Sequence, residues 1–220
     1  MRRVVRPEIL DTGGASEQQI RESLADLAFI NRWFGGLHTS ESLLGRILQR
    51  IDSKHLTMLD VGGASGDSAD QLQHRLSSRG VRLQYTILDR QAAHLNGTGW
   101  RVKGDALSLP FCDGAFDVVT CSLLAHHLEP SDIRQFAEEA LRVSRVAFLI
   151  NDLRRSAFHL ALVYGGYLFY RSGVTRHDAP VSVRRSYTVA EMRTMLAATS
   201  ARAVEVYDRY LCRMGAIAWK

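Results

Sequence analysis

The chain has 220 residues, 46% hydrophobic and 23% charged, with a formal net charge of +5. That is an ordinary balance for a soluble globular protein with one sizeable core and extensions. Three cysteines, Cys112, Cys121 and Cys212, lack C-x-x-C spacing, which argues against a disulfide framework or a cysteine zinc site. The basic start has no long apolar stretch behind it, so it does not read as a signal peptide. The longest uncharged run, residues 156–170, falls short of the ~20 residues that cross a bilayer. A reducing cytoplasm is the expected setting. Charge is uneven, with 13 Lys+Arg against 5 Asp+Glu in residues 141–220 and 15 against 18 before them. The arginines are scattered and no aromatic platform accompanies them, so a solvated surface is expected rather than a specific nucleic-acid interface.

In chain order, Ser16 and Gln19 form a capping box for a helix running to about Phe34. At its end, INRWFGG (30–36) sets Trp33 and Phe34 beside two glycines, either as a closing segment or as a plain helix cap. A second helix is expected over 40–51, so residues 1–53 read as a helical extension and 54–220 as the main domain.

Residues 57–69, TMLDVGGASGDSA, carry the most information. A short apolar strand ends at Asp60, and a loop of small residues, Gly62, Gly63, Ala64 and Gly66, opens a helix. Such a loop turns sharply beneath a bound nucleotide-type cofactor while the acid fixes one end of it. A dinucleotide would want G-x-G-x-x-G, with a glycine where Asp67 stands. A carboxylate there is the wrong charge for a pyrophosphate. The next apolar run, RLQYTIL (82–88), ends at Asp89 and Arg90. An acid at the end of the second strand, about 20 residues past the loop, is where a βαβ unit binds a ribose diol.

Further on come Gly104-Asp105-Ala106, Leu109-Pro110-Phe111, a buried strand over 116–122 ending at Ser122, and the loop LLAHHL with His126 and His127. Ile133, Phe136, Ala137, Ala140 and Leu141 recur with helical period, and a fifth strand is expected over 145–151. Residues 152–187 are too long for a plain connection. Their first half is apolar and rich in tyrosine, including Tyr164 and Tyr167, and their second half is basic from Arg171 onward, with His177 beside Asp178. A substrate pocket, a dimer interface and a membrane-surface patch all fit that pattern. Thr188 and Glu191 cap another helix, and two strand-like runs, 203–210 and 213–219, form a closing hairpin. Alternation of this kind means α/β architecture with a mostly parallel sheet, helices on both faces and an antiparallel last strand.

The pattern D-x-G-x-A-x-G resembles the first motif of class I S-adenosylmethionine (SAM) dependent methyltransferases, with Ala64 at its middle glycine. Asp89, the Gly104–Phe111 segment and the fourth strand follow in the family's order, so the resemblance covers roughly residues 58–151. It is closest to the methyltransferase type 11 group, which contains quinone and polyketide tailoring enzymes, and weakly resembles those associated with bacterial type III polyketide synthases. The resemblance implies a Rossmann-like seven-stranded sheet, a helical lid bearing Trp33, and a substrate-lid insertion over 152–187. It implies SAM as cofactor, held by Asp60, Gly62, Gly63, Ala64, Gly66, Asp89, Arg90, Asp105, Ala106, Ser122 and Trp33. Asp105 would accept from the adenine amine.

The acceptor implied is a small hydrophobic or aromatic molecule methylated at a phenolic oxygen or an activated ring carbon. Asn151, Asp152, Tyr164, Tyr167 and Arg171 are its expected contacts. A phenol needs a base, and histidine titrates in the useful range. Adjacent side chains diverge in regular structure, so one of His127 and His126 is expected to face the methyl group, His127 by preference, with His177 as the alternative base. Ser122-Leu123-Leu124-Ala125 stands where N/D-P-P-Y would grip a base amine, which disfavours nucleic-acid methylation. No metal is expected, because Asn151 and Asp152 lack an evident third partner for a hard cation. A non-catalytic SAM-binding or partner-binding protein of the same fold is the alternative, and a monomer or homodimer is expected.

Overall fold

The computed structural model describes residues 1–220 except 13, 52, 93–94 and 96–98, and except the side chains of 28 and 32. Eight α-helices and seven strands alternate among the described residues. The strands are β1 (His55–Val61), β2 (Arg82–Asp89), β3 (Trp100–Lys103), β4 (Phe116–Ser122), β5 (Ser144–Leu153), β6 (Ala203–Arg209) and β7 (Arg213–Trp219). They form one sheet in the order β3-β2-β1-β4-β5-β7-β6. All neighbours from β3 to β5 run parallel, and β7 lies antiparallel to both β5 and β6. The fold expected from the sequence is the one observed.

Side chains on successive strand positions alternate between two cores, as a pleated sheet covered on both faces requires. Val119, Phe148 and Ala216 meet α5 (Pro130–Val143) and α8 (Val189–Ala197). Their neighbours Val118, Leu149 and Ile217 meet α3 (Gly36–Leu48) and α4 (Asp67–Ser77). In α5 the predicted stripe, Ile133, Phe136, Ala137, Ala140 and Leu141, is at most 3% exposed. Both capping boxes form, Ser16 with Gln19 and Thr188 with Glu191.

Three boundaries differ from the sequence reading. The helix expected over 40–51 starts at Gly36, directly after α2 (Glu17–Trp33), because Gly35 takes φ +81° and breaks the chain direction in one residue. The fifth strand runs on to Leu153 through its antiparallel pairing with β7. The segment after it is a helical pair, α6 (Ala157–Gly165) and α7 (Gly173–Arg185), and α7 packs on α2 and on the short α1 (Ile9–Thr12). Among the described residues no helix is long and apolar enough to cross a membrane.

Candidate cofactor and catalytic site

The strand order reverses direction between β1 and β4, and in open α/β sheets ligands bind outside the carboxyl ends of the strands at that point. Asp60 lies there, 4% exposed, on β1. Burial and then the charge of Asp89 push its carboxyl up to about 7, and its Oδ1 is buried without a hydrogen-bond partner. Such an atom is costly to bury alone and suits a ligand donor.

The loop beyond it is built for close approach. Gly62 and Gly66 have φ +73° and +86°, and Ala64, in the middle, has φ +46°. The methyl of Ala64 therefore occupies a left-handed position that a glycine fills without strain, at a cost of ~1 kcal/mol. A Cβ on Gly63 would stand 2.6 Å from Asp60 Oδ2, so no side chain fits there. Arg101 on β3 holds the loop from below, donating to the carbonyls of Ser65 at 2.7 Å and Ala64 at 3.3 Å. Asp89 accepts from the Ala64 amide at 3.3 Å and the Gln91 amide at 2.9 Å, which sets its carboxylate beside the loop. Arg90 follows it, exposed.

Gly104 continues this rim, its amide donating to the Asp89 carbonyl at 3.1 Å. Asp105 is exposed and accepts from the Leu107 amide, with Ala106 half-buried between them. Ser122 ends β4 opposite Asn151, and Leu124 packs over Gly62. Trp33 is 64% exposed at the end of α2, against Phe29.

The histidine loop departs from expectation. Residues Ala125–His127 form a single 3-10 turn, and in it the two imidazoles do not diverge. Their ring centroids are 4.2 Å apart and both Nε2 atoms face Glu8. Asp152 accepts from the His126 amide at 3.0 Å and bonds its Nδ1 at 2.7 Å. Burial opposes charge on His126, but Asp152 and Glu8 outweigh it and raise the imidazole to about 9. At neutral pH it is already protonated and is not a free base. Burial opposes charge on Asp152 and Glu8 too, but His126 keeps both below the usual carboxylate range. His127 is partly exposed, with Nδ1 3.0 Å from Asp11.

The expected substrate contacts separate into three groups. Asn151 is 1% exposed and donates to the Gly36 carbonyl and Ser40 Oγ, both at 2.8 Å, so it ties β5 to α3. Asp152, equally buried, is occupied by His126 and the Leu153 amide. Tyr164, Tyr167 and His177 line a small cleft of about 180 Å³ with Val4, Arg6 and Arg184, where His177 Nδ1 meets Asp178 at 2.7 Å. Arg171 is exposed and meets Asp26 through its backbone amide. A cleft of about 810 Å³ lies at the amino end of β2 between Asp70, Tyr85 and Trp100, away from the switch point.

Sheet order, glycine loop and acidic rim define the fold of the class I methyltransferases. Residues 59–147 match the family described as "Methyltransferase domain". Three solved structures show the breadth of the likeness. A plantazolicin methyltransferase, BpumL, in complex with a monoazolic desmethylPZN analog and SAH, is 14% identical over 93% of this chain and 96% of its own, with a TM-score of 0.66. The CMeT domain of the citrinin polyketide synthase is 13% identical over 83% and 51%, with a TM-score of 0.57. A SAM-dependent methyltransferase from Aquifex aeolicus is 18% identical over 80% and 88%, with a TM-score of 0.54. No curated protein sequence matches the chain.

Proposed function

We propose that this protein is a SAM-dependent methyltransferase of a small hydrophobic or aromatic acceptor, polyketide- or quinone-like, modified at a phenolic oxygen or an activated ring carbon. The observation that carries the reading is the unpartnered Oδ1 of Asp60 beneath a loop into which no Cβ fits at Gly63. A cationic methionine end meets a carboxylate there, and the backbone of Gly62, Ala64 and Gly66 lies alongside. Asp89 takes the ribose hydroxyls beside Arg90, Asp105 and Ala106 flank the adenine, and Ser122 and Trp33 border the site. Binding of SAH to one structural neighbour and the polyketide association of another agree with this reading. A cytoplasmic setting and a monomer or homodimer complete the proposal.

When bound, SAM supplies an electrophilic methyl on a sulfonium, and the protein's share is alignment and activation of the acceptor. His127 is the proposed proton acceptor, oriented by Asp11 at 3.0 Å. His126, already protonated, positions the turn through Asp152. The acceptor enters between the rim of the switch point and the α6–α7 pair.

Titration calorimetry with SAM, S-adenosylhomocysteine (SAH) and NAD tests the cofactor, and mass spectrometry over a panel of phenols and quinols tests the reaction. SAM and SAH are expected to bind and NAD not to. NAD binding without any response to SAH overturns the proposal, and SAH binding without any methylated product leaves a non-catalytic SAM-binding protein in its place.

A further inference from the structure

The geometry points to a binding site for a divalent transition-metal ion, of zinc type, formed by Glu8 Oε1 and Oε2 with Nε2 of His126 and of His127. One ligand atom from each of the three residues lies within 4.8 Å of the others. His126 Nε2 stands 3.6 Å from Glu8 Oε1, and His127 Nε2 stands 3.9 Å from Oε2. Neither pair is at hydrogen-bond distance.

The far nitrogens show why these atoms converge. Nδ1 of His126 is held by Asp152 at 2.7 Å and Nδ1 of His127 by Asp11 at 3.0 Å. With Nδ1 of each ring engaged by a carboxylate, both rings turn Nε2 toward the same glutamate. A metal ion that displaces the Nε2 proton of His126 meets two imidazole nitrogens and a carboxylate at one point. Carboxylates behind metal-bound histidines are the usual means of fixing tautomer and ring orientation. Glu8 is fixed as well, since Ser182 on α7 donates to its Oε1 at 2.7 Å.

Size and donor type select the ion. Bonds of ~2.0–2.2 Å in a tetrahedron put ligand atoms about 3.3–3.6 Å apart, so the trio closes on an ion by shifting about an ångström or less. Two imidazoles and one carboxylate suit zinc, cobalt or ferrous iron better than magnesium or calcium. Three protein ligands leave a fourth position for water. Glu8 and His126 are 5% and 3% exposed, whereas His127 is partly exposed and gives the side of entry. The charges facing the cluster are Asp11, Asp152, Arg185, which donates to the His127 carbonyl at 2.6 Å, and the buried Arg213 near Asp152. An ion here joins the segment bearing Glu8 to the turn after β4. Its binding and proton acceptance by His127 exclude one another, because both use the same lone pair.

The test uses the full chain, stripped with EDTA and dialysed, then titrated with Co²⁺ by visible absorption and with Zn²⁺ by calorimetry. One ion per chain is expected, with d–d bands of a four- or five-coordinate cobalt centre. His127→Ala and Glu8→Gln should each weaken binding by on the order of 100-fold, and Asp11→Asn, which loosens the hold on His127 Nδ1 and removes a charge facing the cluster, by about 10-fold or more. His177→Ala should leave it unchanged. Should Glu8→Gln fail to fold by circular dichroism, the His127→Ala and Asp11→Asn pair still decides. No binding of either ion by the native chain, or native affinity in His127→Ala, overturns the inference. These readouts need no methyl transfer, so cobalt binding without SAH binding would count against the proposed function alone.

Discussion

Replacing Asp60 with asparagine should strengthen the fold and weaken the site at once. The carboxyl is buried beside Asp89, and its pKa rises from 3.8 to about 7. Below pH 3.8 the group carries its proton in folded and unfolded chains alike and contributes nothing to the pH dependence. Between 3.8 and 7 the unfolded chain ionises first, so the native state loses stability as pH rises, by ~1.4 kcal/mol per pH unit. Above 7 both states are charged and the loss levels at ~4 kcal/mol. Asparagine is nearly isosteric and escapes that loss. In urea unfolding without cofactor, Asp60→Asn should match the native protein near pH 4 and exceed it by up to ~4 kcal/mol at pH 8. The same change removes the carboxylate that a cationic ligand faces, so SAH affinity should fall by ~1.5–3 kcal/mol at pH 8. A variant less stable than native at pH 8, or one that keeps full SAH affinity, would refute the reasoning.

The remaining predictions concern neighbouring groups. Gly63→Ala puts a Cβ 2.6 Å from Asp60 Oδ2; it should cost ~1–3 kcal/mol of stability in urea unfolding and abolish SAH binding by calorimetry. Asp89→Ala removes the partner of the Ala64 and Gln91 amides and the proposed ribose contact, and should weaken SAH by ~1.5–3 kcal/mol. His127→Ala should lower kcat by ~10²-fold with SAH affinity unchanged, and the deficit should shrink toward pH 10, where a phenol ionises unaided. A deficit that persists at high pH would assign the residue to positioning instead.

What could be read from the sequence was whatever a short window encodes. The Asp60-to-Gly66 loop, the Asp89 strand end, both capping boxes and the stripe on α5 are local patterns, and each appears where it was expected. The four-residue β3 was not marked, since its Trp100-Arg101-Val102-Lys103 alternation resembles exposed chain and its strand character comes from pairing with β2. Arg101 was missed for the same reason, its role being to bridge to loop carbonyls 36 and 37 residues earlier. Glu8 and Asp11 carried no signal at all, because Asp11 lies 116 residues from His127 and only the fold brings them together. Asn151 sat at the correct strand end, but its side chain points into the α3 interface. A strand-end position alone does not tell which face of the sheet a residue serves.

The place of β7 imposes an order of events on folding. Among the named strands β6 pairs only with β7, and β7 joins the parallel strands only through β5. Ala147 and Trp219, paired across that seam, are far apart in sequence. During synthesis β6 is made first yet stays without a partner until residues 213–219 emerge, and closing so long a loop is slow. The β5 edge is therefore exposed for that interval, as a strand edge open to pairing with other chains. Conversely, withdrawing β7 detaches β6 with it, so the two strands should exchange their amide hydrogens as one unit, at a free energy separate from that of β1, β2 and β4.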